Sequence, residues 1–317
     1  MQATFLQNHQ IDFTGWDQLV QQSPQGNIFM QSWYINAMLA QWQAVVVHDD
    51  KQNLLAVMPM LIKSKYYLKY SLQPILAKYW GICLANKIFS NHYEEYSWKK
   101  KVVEAIIQAI PQKLAKFNHS FSPAFDYLLP FYWNKYQLVT RYTYILSLKN
   151  TSTKPEEGFS KSVTKKVNKA LKNELIIRPE HDVNLLLKLF EENENSGKLI
   201  LPKSHYQQYT NIQQACAERG QCFMLSVFNQ ENSGIASGLF LQDWHTTYFL
   251  SGIVSPAYRQ TAAMPLLVTE AIKKAQTGTD NFDFLGSMME TIESFFRSFG
   301  PKPVAYMAAK KNALPFI

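Results

Sequence analysis

Apolar and polar positions follow two periods along this chain, and the two periods recur in one order. Helix-like stretches open it at about 12–22 and 31–42. WQAVVVHD and LLAVMPMLI come next, on either side of the polar residues Asp49, Asp50, Lys51, Gln52 and Asn53. Runs of Val, Leu and Ile around a polar turn predict two buried strands paired as a hairpin. A segment rich in Tyr, Pro and Gly follows. Over 98–117, Val102, Val103, Ile106, Ile107, Ile110 and Leu114 recur at helical spacing and predict a helix. Strands are expected near 125–129 and 137–148.

The second half repeats the scheme. Helices are predicted at 158–173, 182–195 and 204–219. A hairpin then runs QCFMLSVF, turn NQENSG, IASGLFLQ, and the strand TTYFLSGI is followed by a helix at about 261–276 and the short strand NFDFLG. Helix, strand, turn, strand therefore occurs twice, with Ser32-Trp33-Tyr34 and Ser204-His205-Tyr206 opening corresponding helices. Such self-similarity points to internal duplication. Between the halves KNTSTKPEEG, 149–158, is polar and carries Pro155 and Gly158, the composition of a linker or exposed crossover. Strands alternating with helices predict an α/β or mixed sheet with helices on its faces. The expected domains are 1–150 and 151–317.

Composition narrows the class. The chain has 317 residues, 47% hydrophobic and 18% charged, which is globular and argues against disorder. MQATFLQNHQ lacks the basic and apolar regions of a secretory signal, and the most apolar runs, such as ILAKYWGICLA, carry a Lys, so no membrane span is expected. Cys83, Cys216 and Cys222 are an odd count without CxxC spacing. Neither a disulfide framework nor a metal site is expected, and a reducing, cytoplasmic setting follows. The net charge of +8 favours an anionic partner: a nucleotide-type cofactor, a phosphorylated precursor, RNA or a membrane surface, with DNA not expected.

The stretch 244–300 carries the most chemistry. A strand ends at Val254-Ser255-Pro256, and Tyr258, Arg259, Gln260, Thr261, Ala262 and Ala263 lead into a helix. A strand running through small residues into a helix N-terminus presents free backbone N–H groups that can hold a pyrophosphate or carboxylate, or it is an ordinary turn. Asp283, inside an apolar strand, needs a partner: backbone N–H groups, Arg297, or a reacting substrate. Phe295 and Phe299 repeat at i, i+4 and read as core. Lys161, Lys165, Lys169 and Lys172 share one face of a helix, which either attracts a phosphate-bearing ligand or is simply solvated.

NIFMQSWYINAMLAQW, LLAVMPMLIK, LQPILAKYWGICL, RYTYILSL, GFSKSVTKKVNKALK, YRQTAAMPLLVTEAI and above all DFLGSMMETIESFFRSFGPKPVAY resemble the FemAB-like acyltransferases, duplicated relatives of the GNAT acetyltransferases, over nearly the whole chain. The family includes peptidoglycan bridge-forming aminoacyltransferases. The resemblance implies two tandem GNAT-like lobes, each a mixed, mostly antiparallel sheet flanked by helices, facing a cleft, with the donor held mainly by the second. It implies an N-acyltransferase that moves an acyl group from an activated donor, acyl-CoA in the first instance, to an amine on a small-molecule or cell-envelope precursor. Catalytic roles are expected for Asp283 and Tyr248, and donor binding for Arg259, Gln260, Thr261, Ala262 and Ala263. Arg141, Tyr258, Tyr306, Gln73 and Trp80 are expected to bind substrate, with Gly81 beside them. The glycine-rich pyrophosphate loop usual in GNAT proteins is absent, Arg-Gln-Thr-Ala-Ala standing at 259–263, and no long charged helical hairpin is present. A tRNA-dependent aminoacyltransferase and a catalytically degenerate binding protein are the alternatives.

Overall fold

The computed structural model describes residues 1–149, 154–197 and 202–312. The chain begins with β1 (Gln2–Gln7), α1 (Phe13–Gln22), α2 (Ser32–Met38), β2 (Gln43–His48), β3 (Leu54–Met60), β4 (Ile62–Lys65), β5 (Leu68–Leu72) and β6 (Cys83–Leu84). It continues with α3 (His92–Ala109), β7 (Leu114–Ser120), α4 (Leu129–Trp133), β8 (Gln137–Ser147), α5 (Lys161–Lys172), β9 (Ile176–Glu180), α6 (Asn184–Asn195) and α7 (Tyr206–Ala217). It closes with β10 (Cys222–Phe228), β11 (Gly234–Gln242), β12 (Thr246–Val254), α8 (Ala263–Gln276), β13 (Asn281–Asp283), α9 (Glu290–Arg297) and β14 (Lys302–Asn312). These elements form two compact units: Met1–Arg141 with the stretch from Ala305, and Tyr142–Val304. The linker expected at 149–158 lies partly outside the described residues, and a 3-10 turn, Pro155–Gly158, follows it.

In the first unit the predicted hairpin forms, β2 and β3 pairing from Gln43↔Met60 to His48↔Leu54. Its turn is held by the Asp49 carboxylate, which accepts the Lys51 and Asn53 N–H groups at 2.9 and 2.8 Å. That bonding is why this polar run turns instead of continuing as strand. β1 and β6 flank the hairpin in the order β1-β2-β3-β6. α3 lays Val102, Val103 and Ile106 on Val45, Val47 and Met58 of the sheet. A second ladder runs β4-β5-β7-β14.

Two expectations are corrected here. The helix predicted over 98–117 runs His92–Ala109. Pro111 follows at once, and a proline cannot continue a helix. Leu114, although in step with the helical series, is the first residue of β7. The strand expected near 125–129 is a loop leading into α4, which has Pro130 in its first turn.

In the second unit the order is β8-β13-β12-β11-β10-β9, β8 contributing its part from Tyr142. All neighbours are antiparallel except β12 and β13, which are parallel and joined through α8. A parallel pair needs such a crossover, and α8 supplies it. Its apolar residues, among them Leu266, Leu267 and Ile272, close over the stacked rings of Phe223, Phe240 and Phe249, whose centroids lie 4.9 and 5.1 Å apart. No helix among the described residues is long and apolar enough to cross a membrane.

Phe240 is fully buried in the middle of that stack. Phe240→Ala is expected to lower unfolding stability by about 3–5 kcal/mol through lost burial and the cavity left behind, measured by urea denaturation against wild type.

Candidate active site

β12 and β13 pair over only three positions, Thr246↔Asn281, Thr247↔Phe282 and Tyr248↔Asp283, and then part. From Phe249 to Val254, β12 has a strand neighbour on the β11 side alone among the described residues. The β11 ladder skips Leu250, which bulges out between Phe249 and Ser251. A bulge bends its strand and re-aims the side chains beside it. The carboxyl end of β13 and the open edge of β12 thus form a divergence point, the kind of place where α/β sheets bind ligands.

Two predicted residues stand at this point. Tyr248 and Asp283 are register partners, so their side chains share one sheet face. Phe282 packs into the cluster with α8, which sends its neighbour Asp283 to the other face. Both are buried, at 5% and 2% exposure. The Tyr248 hydroxyl donates to Asp243 Oδ2 at 2.7 Å. Asp283 accepts the Thr143 hydroxyl of β8 and the Leu285 N–H. Arg297, offered by the sequence as a partner for Asp283, pairs with Glu293 at 2.9 Å. Glu293 also takes the Tyr144 hydroxyl at 3.0 Å, and burial together with this carboxylate raises the Tyr144 pKa. Beyond Asp283 the backbone turns through two left-handed residues, Leu285 (φ 56°) and Gly286 (φ 59°). A Cβ on Gly286 would meet the Tyr142 carbonyl oxygen at 2.1 Å, so only glycine fits where the exit lies against β8. Asp243 and Thr143 were not singled out in the sequence. The polar turn Asp243-Trp244-His245 between two strands was the available signal for the first.

The loop from β12 to α8 contains no glycine and one left-handed residue. Ala262 is the N-cap of α8, left-handed at φ 64°, with no side-chain cap. The first helical N–H groups have no intrahelical acceptor, and Pro265 removes one donor from that turn, which leaves those of Ala263 and Met264. Thr261 is turned inward, its hydroxyl donating to the Tyr258 carbonyl at 2.6 Å. Arg259 donates to Asn193 Oδ1 at 2.8 Å, and the Asn193 amide donates in turn to the Leu189 and Val254 carbonyls at 2.9 and 3.0 Å. Arg259 therefore braces α6 against the end of β12. Gln260 is exposed. Tyr258 receives the Asn229 amide at 3.3 Å.

The remaining predicted residues lie in the first unit. Gln73 locks a loop: its side-chain oxygen accepts the Ser120 N–H and its amide donates to the Lys78 carbonyl, both at 2.7 Å. Trp80 is wholly buried, its N–H donating to no acceptor among the described residues. Gly81 approaches so closely that a Cβ would meet the Phe121 ring at 2.5 Å. Tyr306 is buried, edge-on to Tyr79 at 5.5 Å, with the Lys78 ammonium 5.6 Å from its ring centre. Arg141 is a half-buried residue of β8. Gln73 and Trp80 are thus brought together on one loop.

That loop hides a residue the sequence did not mark. His119 is completely buried, its Nδ1 3.1 Å from the Trp80 carbonyl and its Nε2 2.8 Å from Ser71 Oγ. The donor pattern fits a neutral ring that gives its Nδ1 proton to the carbonyl and accepts the serine hydroxyl. Burial drives its pKa down to about 3, against the smaller opposing effect of the Trp80 carbonyl. Ser71 is equally buried, so this serine–histidine pair braces the loop out of reach of substrate. Among the described residues no group of His, Cys, Asp and Glu is placed to hold a metal ion.

The His119 ring stays neutral when folded but protonates near pH 6.5 when unfolded, so the unfolded chain takes up the extra proton as pH falls. Its contribution to stability is complete above about pH 6.5 and is lost as pH drops toward about 3. Urea melts across this range should show wild type losing up to about 1.4 kcal/mol more per pH unit than His119→Gln. Parallel curves would show that the ring takes up its proton equally in the folded and unfolded chain.

No protein-family model matches the chain, and no curated protein matches it. Solved structures do. FemX superposes with a TM-score of 0.68 at 15% identity, covering 97% of each chain. L-PGS from Bacillus licheniformis gives 0.58 at 10% identity over 96% of this chain and 93% of that one. A tandem GNAT protein from the clavulanic acid biosynthesis pathway gives 0.56 at 8% identity over the whole of both. At such identities the likeness is one of fold, and it bears out the architecture expected from the sequence: the chain has the duplicated GNAT-type α/β fold that FemX and the tandem GNAT protein share.

Proposed function

We propose that this protein is an N-acyltransferase that moves an acyl group from a thioester donor to an amine. The observation that carries the reading is the divergence of β12 from β13 directly after the Tyr248–Asp283 pair. An unpaired strand edge can hydrogen-bond the amides of a pantetheine arm, as a sheet edge binds an added peptide. The Ala263 and Met264 N–H groups and the dipole of α8 favour a pyrophosphate at the other end of that edge. The small residues at 261–263 fit such an anion, while Arg259, held by Asn193, acts through the shape of the loop. The resemblance of fold to a tandem GNAT protein whose structure is described as "without AcCoA" agrees with a coenzyme A donor.

In this reading the acceptor nitrogen attacks the thioester carbonyl. The C–N bond forms, the C–S bond breaks, the amine proton passes to the Asp283 carboxylate, and the thiolate leaves to be protonated by solvent. Tyr248, its hydroxyl fixed by Asp243, orients the reacting groups beside Asp283. The acceptor class we favour is a small-molecule or cell-envelope precursor, and the compartment the cytoplasm. An aminoacyl-tRNA donor is the second reading. It is favoured by Lys161, Lys165, Lys166, Lys169 and Lys172 on α5, all exposed and, among the described residues, outside every ion pair. The FemX fold likeness agrees with either donor.

Thermal melting against acyl-coenzyme A thioesters, free coenzyme A and charged tRNA separates the readings, since a ligand at about a hundredfold over its Kd adds ~2.7 kcal/mol. We expect stabilisation by a thioester. Stabilisation by charged tRNA alone would move the donor to the second reading, and binding without turnover would mark a degenerate enzyme. Asp283→Asn preserves an oxygen for Thr143 and Leu285, so the variant should fold, yet kcat should fall about 10²–10⁴-fold. An unchanged kcat would assign Asp283 to the fold alone.

A further inference from the structure

The first unit gathers lysines and exposed tyrosines around two adjoining cavities. A cavity of about 480 Å³ is lined by Lys116, Lys135, Lys310 and Lys311, with Asn118 in its wall. A second, of about 260 Å³, adjoins it, sharing Lys116 and Asn312, and is walled by Lys65, Tyr66, Leu68 and Tyr70. Among the described residues no acidic side chain lines either. Among the described residues none of these five lysines belongs to an ion pair. The arrangement follows from the sheet. Lys310 pairs with Asn118 and Asn312 with Lys116, so alternate residues of β7 and β14 present amines and amides on one face.

Tyr66 and Tyr70 wall the smaller cavity. The β4–β5 hairpin turns at Tyr66, left-handed at φ 56°, and leaves Tyr66 and Tyr67 87% and 91% exposed. Lys135, just past α4, reaches the larger cavity. Lys63 and Lys69 add charge to the hairpin. Behind the wall of the larger cavity Asn118 Oδ1 is shielded from solvent and, among the described residues, accepts no hydrogen bond.

We propose that this face docks on an anionic lipid bilayer. Headgroup phosphates would sit among Lys116, Lys135 and Lys310, with Tyr66 and Tyr67 of the β4–β5 hairpin tip at the depth of the interface. Three features favour a bilayer over RNA. Tyrosine, exposed here at 66 and 67, is one of the residues that settle at membrane interfaces. The rings of Tyr66 and Tyr67 project from a hairpin tip, whereas bases stack on rings that line a groove. The cations are all lysines, suited to diffuse attraction by anionic headgroups and lacking the planar fork that makes arginine the residue of choice for nucleic-acid phosphates.

The test is co-sedimentation of the full chain with sucrose-loaded vesicles, phosphatidylglycerol mixed with phosphatidylcholine against phosphatidylcholine alone. Binding is expected only to the anionic vesicles and should weaken as salt rises. Each lysine near the surface is worth about fivefold in partition, so Lys116→Ala with Lys310→Ala should cost roughly 25-fold. Tyr66→Asn with Tyr67→Ser, which suits the left-handed turn, should also weaken binding while leaving the salt dependence in place. All four positions reach solvent or a solvent-lined cavity, so melting temperatures should hold. Protein left in the supernatant, or variants that sediment like wild type, would overturn the proposal. So would a labelled RNA oligonucleotide that binds wild type and is lost with the same lysines while vesicles are ignored.

Discussion

Three paired residues hold β12 beside β13, and a buried carboxylate ends the pairing. Asp283 closes that short ladder by taking the Thr143 hydroxyl and the Leu285 N–H, which draws the chain away through Leu285 and Gly286 onto β8. Were the ladder to continue, the edge of β12 from Phe249 to Val254 would be filled by β13. The bulge at Leu250 and the uncapped start of α8 would then border a closed sheet. The divergence, the exposed backbone and the placement of Tyr248 beside Asp283 depend on this one arrangement. It also explains how one residue can serve both the fold and the proposed chemistry: the donors that hold Asp283 also keep its carboxylate in a fixed orientation.

The elements that read correctly from the sequence are those whose burial is written in a local period. Both hairpins, β2–β3 and β10–β11, are apolar runs around turn residues, and α8 is a long apolar series behind small residues. Misreadings arise where local pattern and tertiary placement disagree. Leu114 fits the helical series of α3, but Pro111 has already ended the helix and the leucine begins a buried strand. The β4–β5 hairpin is written in Lys and Tyr and carries almost no apolar alternation, because most of its surface faces water.

The site was legible in part for the same reason. Asp283 stands out as a charge in an apolar strand, and Tyr248 lies on the strand next to it. Their supports, Asp243 and Thr143, come from a turn and from a strand far off in sequence, and only the register reveals them. Ala262 was invisible in a different way: the missing glycines argue against a phosphate loop, yet the residue adopts the left-handed conformation a glycine would, at a strain of roughly 1 kcal/mol. His119 looks like any histidine until the fold surrounds it, and its serine contact braces the loop that carries Gln73 and Trp80.

The central claim is that the open edge of β12 and the start of α8 receive the donor. Amide hydrogen exchange with and without an acyl-coenzyme A thioester tests this most directly. Slowed exchange is expected at Phe249–Val254 and at Ala263 and Met264, with the β2–β3 hairpin of the first unit unchanged. Protection confined to other segments, under conditions where the thioester demonstrably binds, would contradict it.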